Sequence, residues 1–387
     1  MTIPKTEAIY ALPDHQVVSD LLPDIGSRRL GVAEARRRIA ANPGLVPLAI
    51  DPAGAGTVLW GDLGRHPFRE WQFLYTVKHL AEQDAIGEHF ATGMEILDDE
   101  DSFADSVRPS GFIFHISRCG STLLAKALAR PAGNMMISQG GPLQRGFWAH
   151  VTDDWRRPAT ADETTLRRLR AVILAMTRRR CGDERRAFIK FISWNSLYID
   201  LIAAAFPDVP SLFLYRDPVE VIASVRRETT AALLARGTRE GAFLTGRPAA
   251  ETAAMSDVSY LAACYARYFE AALHAEAPLS YIDYRELSAE RIAFVAAEGL
   301  GYVASDEEIA AMQAQFRFHS KDDAGTSTFR DDSAAKQMAL SSKEREEVER
   351  LCLGGLKSLG RSPRNLFMKR RAGKTTNPSH AMMGTQL

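Results

Sequence analysis

The stretch from Gly111 to Leu128, GFIFHISRCGSTLLAKAL, decides the fold of this 387-residue chain. Its first part, GFIFHIS, is a short apolar run typical of a buried β-strand, and STLLAKAL, from Ser121 on, has the spacing of an amphipathic helix. Arg118, Cys119 and Gly120 lie between them. A strand, a turn and a helix in this order favour the binding of an anion at the turn. The first N–H groups of a helix lack backbone partners, and the helix dipole attracts negative charge.

Apolar strands alternate with helical segments after this stretch. The sequence predicts strands over 134–138, 187–192, 211–216 and 279–284, and a long arginine-rich helix over 162–180. Parallel strands need crossover connections, and crossover helices bury both faces of a sheet. The predicted fold class is therefore α/β, with a three-layer α/β/α core and a mainly parallel central sheet.

The rest of the chain divides around this core. Residues 1–108 are predicted to form an N-terminal lobe whose role the sequence leaves open. The acidic, proline-containing segment 98–110 is interpreted as a linker, after which the alternation of strands and helices begins. The core domain is assigned to 109–364. The basic segment 365–387 has no apolar periodicity and is predicted to be a flexible tail.

Charge and cysteine content exclude several classes of protein. There are 48 basic and 48 acidic residues, so net charge gives no reason to expect a nucleic-acid partner. No apolar stretch reaches the roughly 20 residues of a membrane helix, and the N-terminus lacks a signal-peptide core, so a cytoplasmic protein without a membrane partner is predicted. The four cysteines lie far apart, which predicts reduced thiols and no metal site. The oligomeric state stays open.

A second segment with phosphate-binding character is YRDPVEVIASVRRE, residues 215–228. Arg216 ends a predicted strand, and Ser224 follows it by eight residues. A guanidinium fork and a hydroxyl can hold one phosphate through several hydrogen bonds. Taken alone, each of the two segments has a simpler interpretation as helix capping. The first loop also lacks the G-x-x-x-x-G-K-[ST] spacing, which disfavours a kinase or an ATPase.

Together the two segments resemble the motifs of sulfotransferases that use 3′-phosphoadenosine 5′-phosphosulfate (PAPS). SRCGSTLL is similar to the family's loop for the 5′-phosphosulfate, and RDPVEVIAS is similar to its element for the 3′-phosphate. The order and the separation of about a hundred residues also agree. The resemblance covers residues 111–340. It implies a P-loop NTPase-like core, PAPS as co-substrate without a metal, and transfer of a sulfuryl group to a hydroxyl or amine of a small-molecule or peptide acceptor.

The resemblance also implies roles for individual residues. Lys190 is similar to the family's lysine that stabilises the leaving phosphate, with a strand-end lysine reaching solvent as the alternative. Cys119 replaces the more common serine, and we expect its thiol to be inert. The segment 318–337 lies where the family often has a loop over the 3′-phosphate. The implied nucleotide-binding residues are Arg118, Cys119, Gly120, Ser121, Thr122, Leu123, Arg216, Ser224, Lys321, Arg330 and Lys336.

The catalytic base is the part of the resemblance that is missing. Relatives resembling tyrosylprotein sulfotransferases have a glutamate where this chain has Gln139, whose amide can orient an acceptor but cannot take its proton. His150, with Asp153 and Asp154, is the predicted substitute, whereas His115 is predicted to be a hydrogen-bonded core residue. Three interpretations of the missing base stay open: another residue acts as base, the acceptor needs little help in losing its proton, or the protein binds nucleotide without transferring sulfate. An atypical P-loop phosphotransferase is a further alternative.

Overall fold

The computed structural model describes residues 12–318 and 336–368, which contain two β-sheets. The first sheet is antiparallel, in the order β1-β2-β3, and the second is parallel throughout, in the order β5-β6-β4-β7-β8. These strands are β1 (Leu45–Asp51), β2 (Thr57–Asp62), β3 (His89–Gly93), β4 (Pro109–His115), β5 (Asn134–Ser138), β6 (Arg186–Lys190), β7 (Ser211–Tyr215) and β8 (Leu279–Asp283). The strands predicted for the core are confirmed, with ends within two residues of the predicted ones.

Helices connect the strands and cover the sheets. Those of the described residues are α1 (Asp14–Leu21), α2 (Val32–Ala41), α3 (Phe73–Glu82), α4 (Ser121–Leu128), α5 (Phe147–Val151), α6 (Glu163–Met176), α7 (Ile199–Ala205), α8 (Pro218–Arg227), α9 (Ala231–Leu234), α10 (Arg239–Thr245), α11 (Ala249–Ala254), α12 (Asp257–His274), α13 (Ile292–Leu300), α14 (Asp306–Ala314) and α15 (Ser342–Arg361). A π-helical turn, Pro142–Gly146, follows β5. None of the described helices is long and apolar enough to cross a membrane.

Both faces of the parallel sheet are covered. Every residue of β5 and of β7 is buried, and neighbouring side chains of a strand point to opposite faces. Packing partners must therefore lie on each side of the sheet. On one of them, Leu300 of α13 packs against Gly111 of β4, and Gly299 packs against Leu212 of β7. The predicted α/β fold with a parallel central sheet flanked by helices is confirmed.

The strand order places the predicted site residues at one edge of the sheet. From β4 the chain crosses to β5 at the edge, returns to β6, and then passes to β7 and β8 on the other side of β4. Loops that leave the carboxyl ends of strands diverge at such a switch point and form a crevice for ligands. Arg118, Gln139, Lys190 and Arg216 lie at or just after the carboxyl ends of β4, β5, β6 and β7.

The segment 98–110 is packed against the core, so its interpretation as a linker is wrong. It contains a 3-10 turn, Glu100–Phe103, which follows another one, Met94–Asp98. Its acidic side chains pair with arginines of α6: Arg168 Nε donates to Asp98 and Arg170 Nη2 to Glu100, each over 2.7 Å. The arginine-rich pattern over 162–180 and the acidic pattern therefore complement each other.

The N-terminal sheet also meets the core through close backbone contact. The π-helical turn packs against β1, and a Cβ atom on Gly146 would lie 2.0 Å from the carbonyl oxygen of Ile50. Buried apolar side chains form one cluster that extends from Val17 to Phe367. The division of the chain after residue 108 stays a prediction, and both parts contribute to this one core.

Replacing Gly146 by alanine is expected to lower the free energy of unfolding by roughly 2 kcal/mol or more, because the new methyl group overlaps a backbone atom that cannot rotate away. Gly354→Ala is the control. Gly354 lies within α15, and a Cβ atom there would meet nothing within 4 Å. Gly354→Ala should raise the free energy of unfolding by up to about 1 kcal/mol, because alanine favours the helix more than glycine does. Urea denaturation of both variants measures the difference, and equal stabilities would contradict the packing described for β1.

A buried carboxyl group connects α1 to the same π-helical turn. Gln144 Nε2 donates to Asp14 Oδ1 over 3.1 Å, and Asp14 Oδ2 has no hydrogen-bond partner among the described residues. Burial raises the pKa of Asp14 from 3.8 to about 7; the charges of Arg145 and Glu240 have smaller and opposite effects. The folded protein therefore keeps a proton that the unfolded chain releases at lower pH.

This proton makes stability depend on pH. Between pH 3.8 and about 7 the folded state binds more protons at Asp14, so the contribution of this group to stability falls as pH rises, by up to about 1.4 kcal/mol per pH unit. Asp14→Asn should remove this part of the slope. Asp20→Asn, at an exposed position of α1, should keep the wild-type slope. Urea denaturation over this pH range tests it; three identical slopes would show that Asp14 is not protonated in the folded state.

Candidate functional site

A cavity of about 480 Å³ opens at the carboxyl edge of the parallel sheet. The segments that follow β4, β5, β6, β7 and β8 all contribute to its wall. It brings together the predicted residues Arg118, Cys119, Gly120, Ser121, Thr122, Leu123, Gln139, Lys190, Arg216, Ser224 and Lys336. Lys321 and Arg330 lie outside the described residues. The two predicted phosphate segments thus share one cavity.

The loop after β4 has a backbone that its neighbours must hold in place. Ser117 and Arg118 have φ angles of +81° and +47°, in the left-handed region that non-glycine residues rarely adopt. His115 stabilises the turn, because its Nδ1 accepts a hydrogen bond from the Ser117 N–H over 2.8 Å and its Nε2 donates to the Phe191 carbonyl over 3.0 Å. Burial, and to a lesser degree the charge of Lys190, hold the pKa of His115 well below its usual value. The ring is therefore neutral and structural.

The last loop residues prepare the start of α4. Gly120 has a φ of +82°, and a Cβ atom there would lie 2.6 Å from the ring of Tyr284, so only glycine fits. The Cys119 thiol is buried and donates to the Leu214 carbonyl over 3.4 Å. Burial raises the pKa of Cys119 to about 11, so the thiol is inert, as expected. Ser121 begins α4, and the first residues of this helix, whose N–H groups lack helical partners, line the cavity.

Arg118 connects the two phosphate segments directly. Its Nε donates to Ser224 Oγ over 3.0 Å, although the two residues are 106 positions apart. Its terminal Nη2 forms an ion pair with the Glu228 carboxylate over 2.5 Å. The guanidinium thus lies between the end of α8 and the loop after β4, at the cavity wall.

Arg216 is fixed from two sides. It is only 5% exposed, its Nε donates to Glu220 over 2.6 Å, and its guanidinium lies 4.1 Å from the centroid of the Tyr284 ring. Asp217 caps α8 by accepting a hydrogen bond from the Val219 N–H over 2.9 Å. Asp217 therefore caps the helix while Arg216 lies at the cavity wall, and the phosphate contact of Arg216 stays a prediction. A guanidinium held between a carboxylate and an aromatic face is already oriented for an anion.

Gln139 and Lys190 lie side by side at the ends of β5 and β6. Lys190 is fully buried, so it does not reach bulk solvent as a strand-end lysine would. The Gln139 N–H donates to the Lys190 carbonyl over 2.7 Å, and Gln139 has a left-handed φ of +53°. Its Oε1 is buried and has no hydrogen-bond partner among the described residues. Gln139 is among the residues that line the cavity, and its side-chain amide can accept a hydrogen bond.

The structure does not bring His150 to the cavity. The short helix α5 directs it toward the N-terminal sheet, where its ring packs beside Gly56. Burial lowers the pKa of this half-buried imidazole. Asp153 and Asp154 are also outside the cavity and pair with Arg156 and Arg239, respectively. The predicted substitutes for the base therefore lie in another part of the molecule. Within the described residues, no group of His, Cys, Asp and Glu is arranged to hold a metal ion.

Glu228, Tyr284 and Trp71 are among the cavity residues that were not predicted. Tyr284 directly follows β8, so the rule that ligands bind at the carboxyl edge could have identified it. Glu228 is the last residue of the second phosphate segment, but it follows a helix and not a strand, so that rule does not identify it. Trp71 belongs to the N-terminal region. It reaches the cavity because Ser138 Oγ, at the end of β5, donates to its carbonyl over 2.8 Å. Nothing in the local sequence indicates that contact.

Comparisons with known proteins find distant structural similarity only. No protein-family model and no curated protein sequence matches the chain. A solved sulfotransferase from Alicyclobacillus acidocaldarius is 17% identical over 65% of this chain and 94% of that one, with a TM-score of 0.35. A sulfotransferase from Mycobacterium avium is 12% identical over 68% of this chain and 80% of that one, with a TM-score of 0.40. The sulfotransferase domain from the curacin biosynthetic pathway is 14% identical over 64% of this chain and 98% of that one, with a TM-score of 0.34. TM-scores this low assign no function to the chain.

The packing of the phosphate loop can be tested through its cysteine. Iodoacetamide at about pH 8 should label the partly exposed Cys181 first. Cys119, Cys264 and Cys352 are buried, and burial raises their pKa values to about 11, 12 and 12. Timed labelling followed by peptide mass spectrometry gives the order, and urea-unfolded protein, in which all four should react alike, is the control. Early labelling of Cys119 in the folded protein would contradict the loop geometry.

Proposed function

We propose that this protein is a sulfotransferase that moves the sulfuryl group of PAPS onto a hydroxyl or amine of a small-molecule or peptide acceptor. The observation that carries this proposal is the hydrogen bond between Arg118 and Ser224 at the wall of one cavity. It joins a phosphate loop to a second arginine and hydroxyl pair. PAPS carries phosphate groups on both its 5′ and its 3′ oxygen, so its site needs two anion-binding groups in a fixed arrangement.

The two groups would divide the nucleotide between them. The loop from Arg118 to Leu123 would hold the 5′-phosphosulfate through the N–H groups at the start of α4 and the hydroxyls of Ser121 and Thr122. Arg216 and Ser224 would hold the 3′-phosphate. Lys336, which is buried at the same cavity, would add positive charge. The product adenosine 3′,5′-bisphosphate would occupy the same groups.

Lys190 would serve the transfer step itself. Negative charge develops on the oxygen that leaves sulfur, and a buried cation in a site shielded from water stabilises this charge most effectively. Gln139 would orient the acceptor through its amide oxygen. The proposal assigns the stabilisation of charge to cationic side chains and uses no metal. The cytoplasm, where the thiols stay reduced, is the proposed compartment.

A second candidate is a protein that binds the nucleotide without transferring sulfate. Gln139 favours it, because a neutral amide stands where the relatives resembling tyrosylprotein sulfotransferases have a base. Both candidates bind the bisphosphate. Only a sulfotransferase moves radiolabel from PAPS to an acceptor, and a preference for ATP with magnesium would instead indicate a phosphotransferase.

Arg216→Ala should remove selectivity for the 3′-phosphate. In calorimetric titrations this variant should bind adenosine 3′,5′-bisphosphate at least about tenfold more weakly than the wild type, because a charge-assisted, bidentate contact is lost. Its affinity for adenosine 5′-phosphate, which lacks the 3′ group, should change much less. Arg247→Ala is the control, since Arg247 pairs with Glu251 as Arg216 pairs with Glu220 but lies outside the cavity.

Two results would refute the assignments. Wild-type protein that binds no bisphosphate at about 1 mM ligand would exclude the nucleotide site, because its binding free energy would then be weaker than about −4 kcal/mol. Equal losses of affinity for the two nucleotides in Arg216→Ala would refute the role of Arg216. Circular dichroism of each variant establishes that it is folded.

A further inference from the structure

The cavity wall has only one described side chain suited to take a proton from an acceptor. Arginine, lysine and tyrosine side chains ordinarily carry their protons at neutral pH. Among the described residues, the ionisable side chains at the wall are Arg118, Arg216, Arg227, Lys190, Lys336, Tyr284, His115, Cys119 and Glu228. Only Glu228 among them is a carboxylate.

His115 and Cys119 do not meet the requirement. The Nδ1 lone pair of His115 already accepts the Ser117 N–H, and its Nε2 proton is donated to the Phe191 carbonyl. A histidine whose pKa is held well below its usual value is also a weak base. The Cys119 thiol keeps its proton, because burial raises its pKa to about 11, and it faces the Leu214 carbonyl.

Glu228 stands where an acceptor can reach it. It directly follows α8, four positions after Ser224, and its N–H donates to the Ser224 carbonyl over 3.2 Å. Its side chain is 47% exposed, so it lies at the mouth of the cavity. Its carboxylate contacts Arg118, the first residue of the loop assigned to the phosphosulfate. The carboxylate is therefore next to the part of the cavity where the sulfuryl group would lie.

We propose that the Glu228 carboxylate accepts the proton of the acceptor hydroxyl, an inference that rests on the proposed function. The acceptor oxygen forms a bond to sulfur while the bond from sulfur to the bridging oxygen of PAPS breaks. The electron pair of the broken bond leaves with adenosine 3′,5′-bisphosphate, and the proton of the acceptor passes to Glu228.

Arg118 couples this base to the presence of the donor. In the described structure its guanidinium is shared between Ser224 and Glu228. A bound phosphosulfate offers Arg118 a stronger anionic partner and so competes with Glu228 for it. The carboxylate is then released for proton transfer only when the donor nucleotide is in place. Glu228, in the second phosphate segment, thus accepts the proton that the neutral amide of Gln139 cannot take.

Glu228→Gln tests the proposal, because glutamine keeps the shape and can still accept a hydrogen bond from Arg118. Transfer of radiolabelled sulfate from PAPS to 2-naphthol, to a tyrosine-containing peptide or to a primary alcohol should fall about 100-fold or more. Affinity for the bisphosphate should stay the same or increase, because Arg118 loses a competing charge. Glu228→Asp, which restores the carboxylate, should recover part of the transfer rate.

Glu251→Gln is the matched control. Glu251 is 48% exposed and pairs with Arg247, as Glu228 is 47% exposed and pairs with Arg118, but it lies outside the cavity. It should leave both transfer and binding unchanged.

Each remaining outcome overturns the role of Glu228. Transfer by Glu228→Gln within about threefold of the wild type would show that another group takes the proton. Joint loss of transfer and bisphosphate binding would show that Glu228 supports the site structurally. Wild-type protein that binds the bisphosphate but transfers to none of the acceptors would retain its nucleotide site without a base. Absent bisphosphate binding refutes the proposed function itself, so the titration separates the two failures.

Discussion

The neutral imidazole of His115 is the contact on which the arrangement of the site depends. One ring nitrogen holds the loop after β4 in a left-handed turn, and the other binds the chain just after β6. The same ring therefore sets the direction of Arg118 and the distance of the loop from Lys190. A protonated ring would lose the hydrogen bond from Ser117, because Nδ1 would carry a proton of its own. Burial in the sheet keeps the pKa of His115 low and so excludes the protonated form. The packing of the strands therefore also maintains the geometry of the loop.

Charge balance within the cavity is the second constraint. Arg118 and Arg216 each pair with a glutamate in the described structure, so the protein supplies its own anions to the groups assigned to phosphates. In the proposed function, nucleotide binding would be an exchange of partners, and separating the existing ion pairs would offset part of its electrostatic gain. A chain with zero net charge can build such a site because the positive charge is concentrated locally and compensated nearby.

The sequence predicted those parts of the protein that follow from local pattern. The core strands were identified because fully buried strands form short apolar runs, and the positions of Arg118 and Arg216 followed from their place after such runs. His150 was misplaced because α5 has five residues, too few to reveal which face points inward. Glu228 resembled an ordinary surface charge until Arg118 was seen to reach it. Trp71 depends on packing between distant segments, for which a single sequence carries no signal.

The hydrogen bond between Ser138 and Trp71 also brings the N-terminal region to the end of an outer strand. The β5 strand is the outermost strand of the parallel sheet on its side, and the N-terminal region packs along its end. An uncovered outer strand offers unpaired backbone groups to other chains and promotes association between sheets. The described N-terminal residues therefore cover the carboxyl end of this outer strand at Trp71. A recombinant core that started at β4 would carry every described residue assigned to the phosphates and still lack this contact at the end of β5.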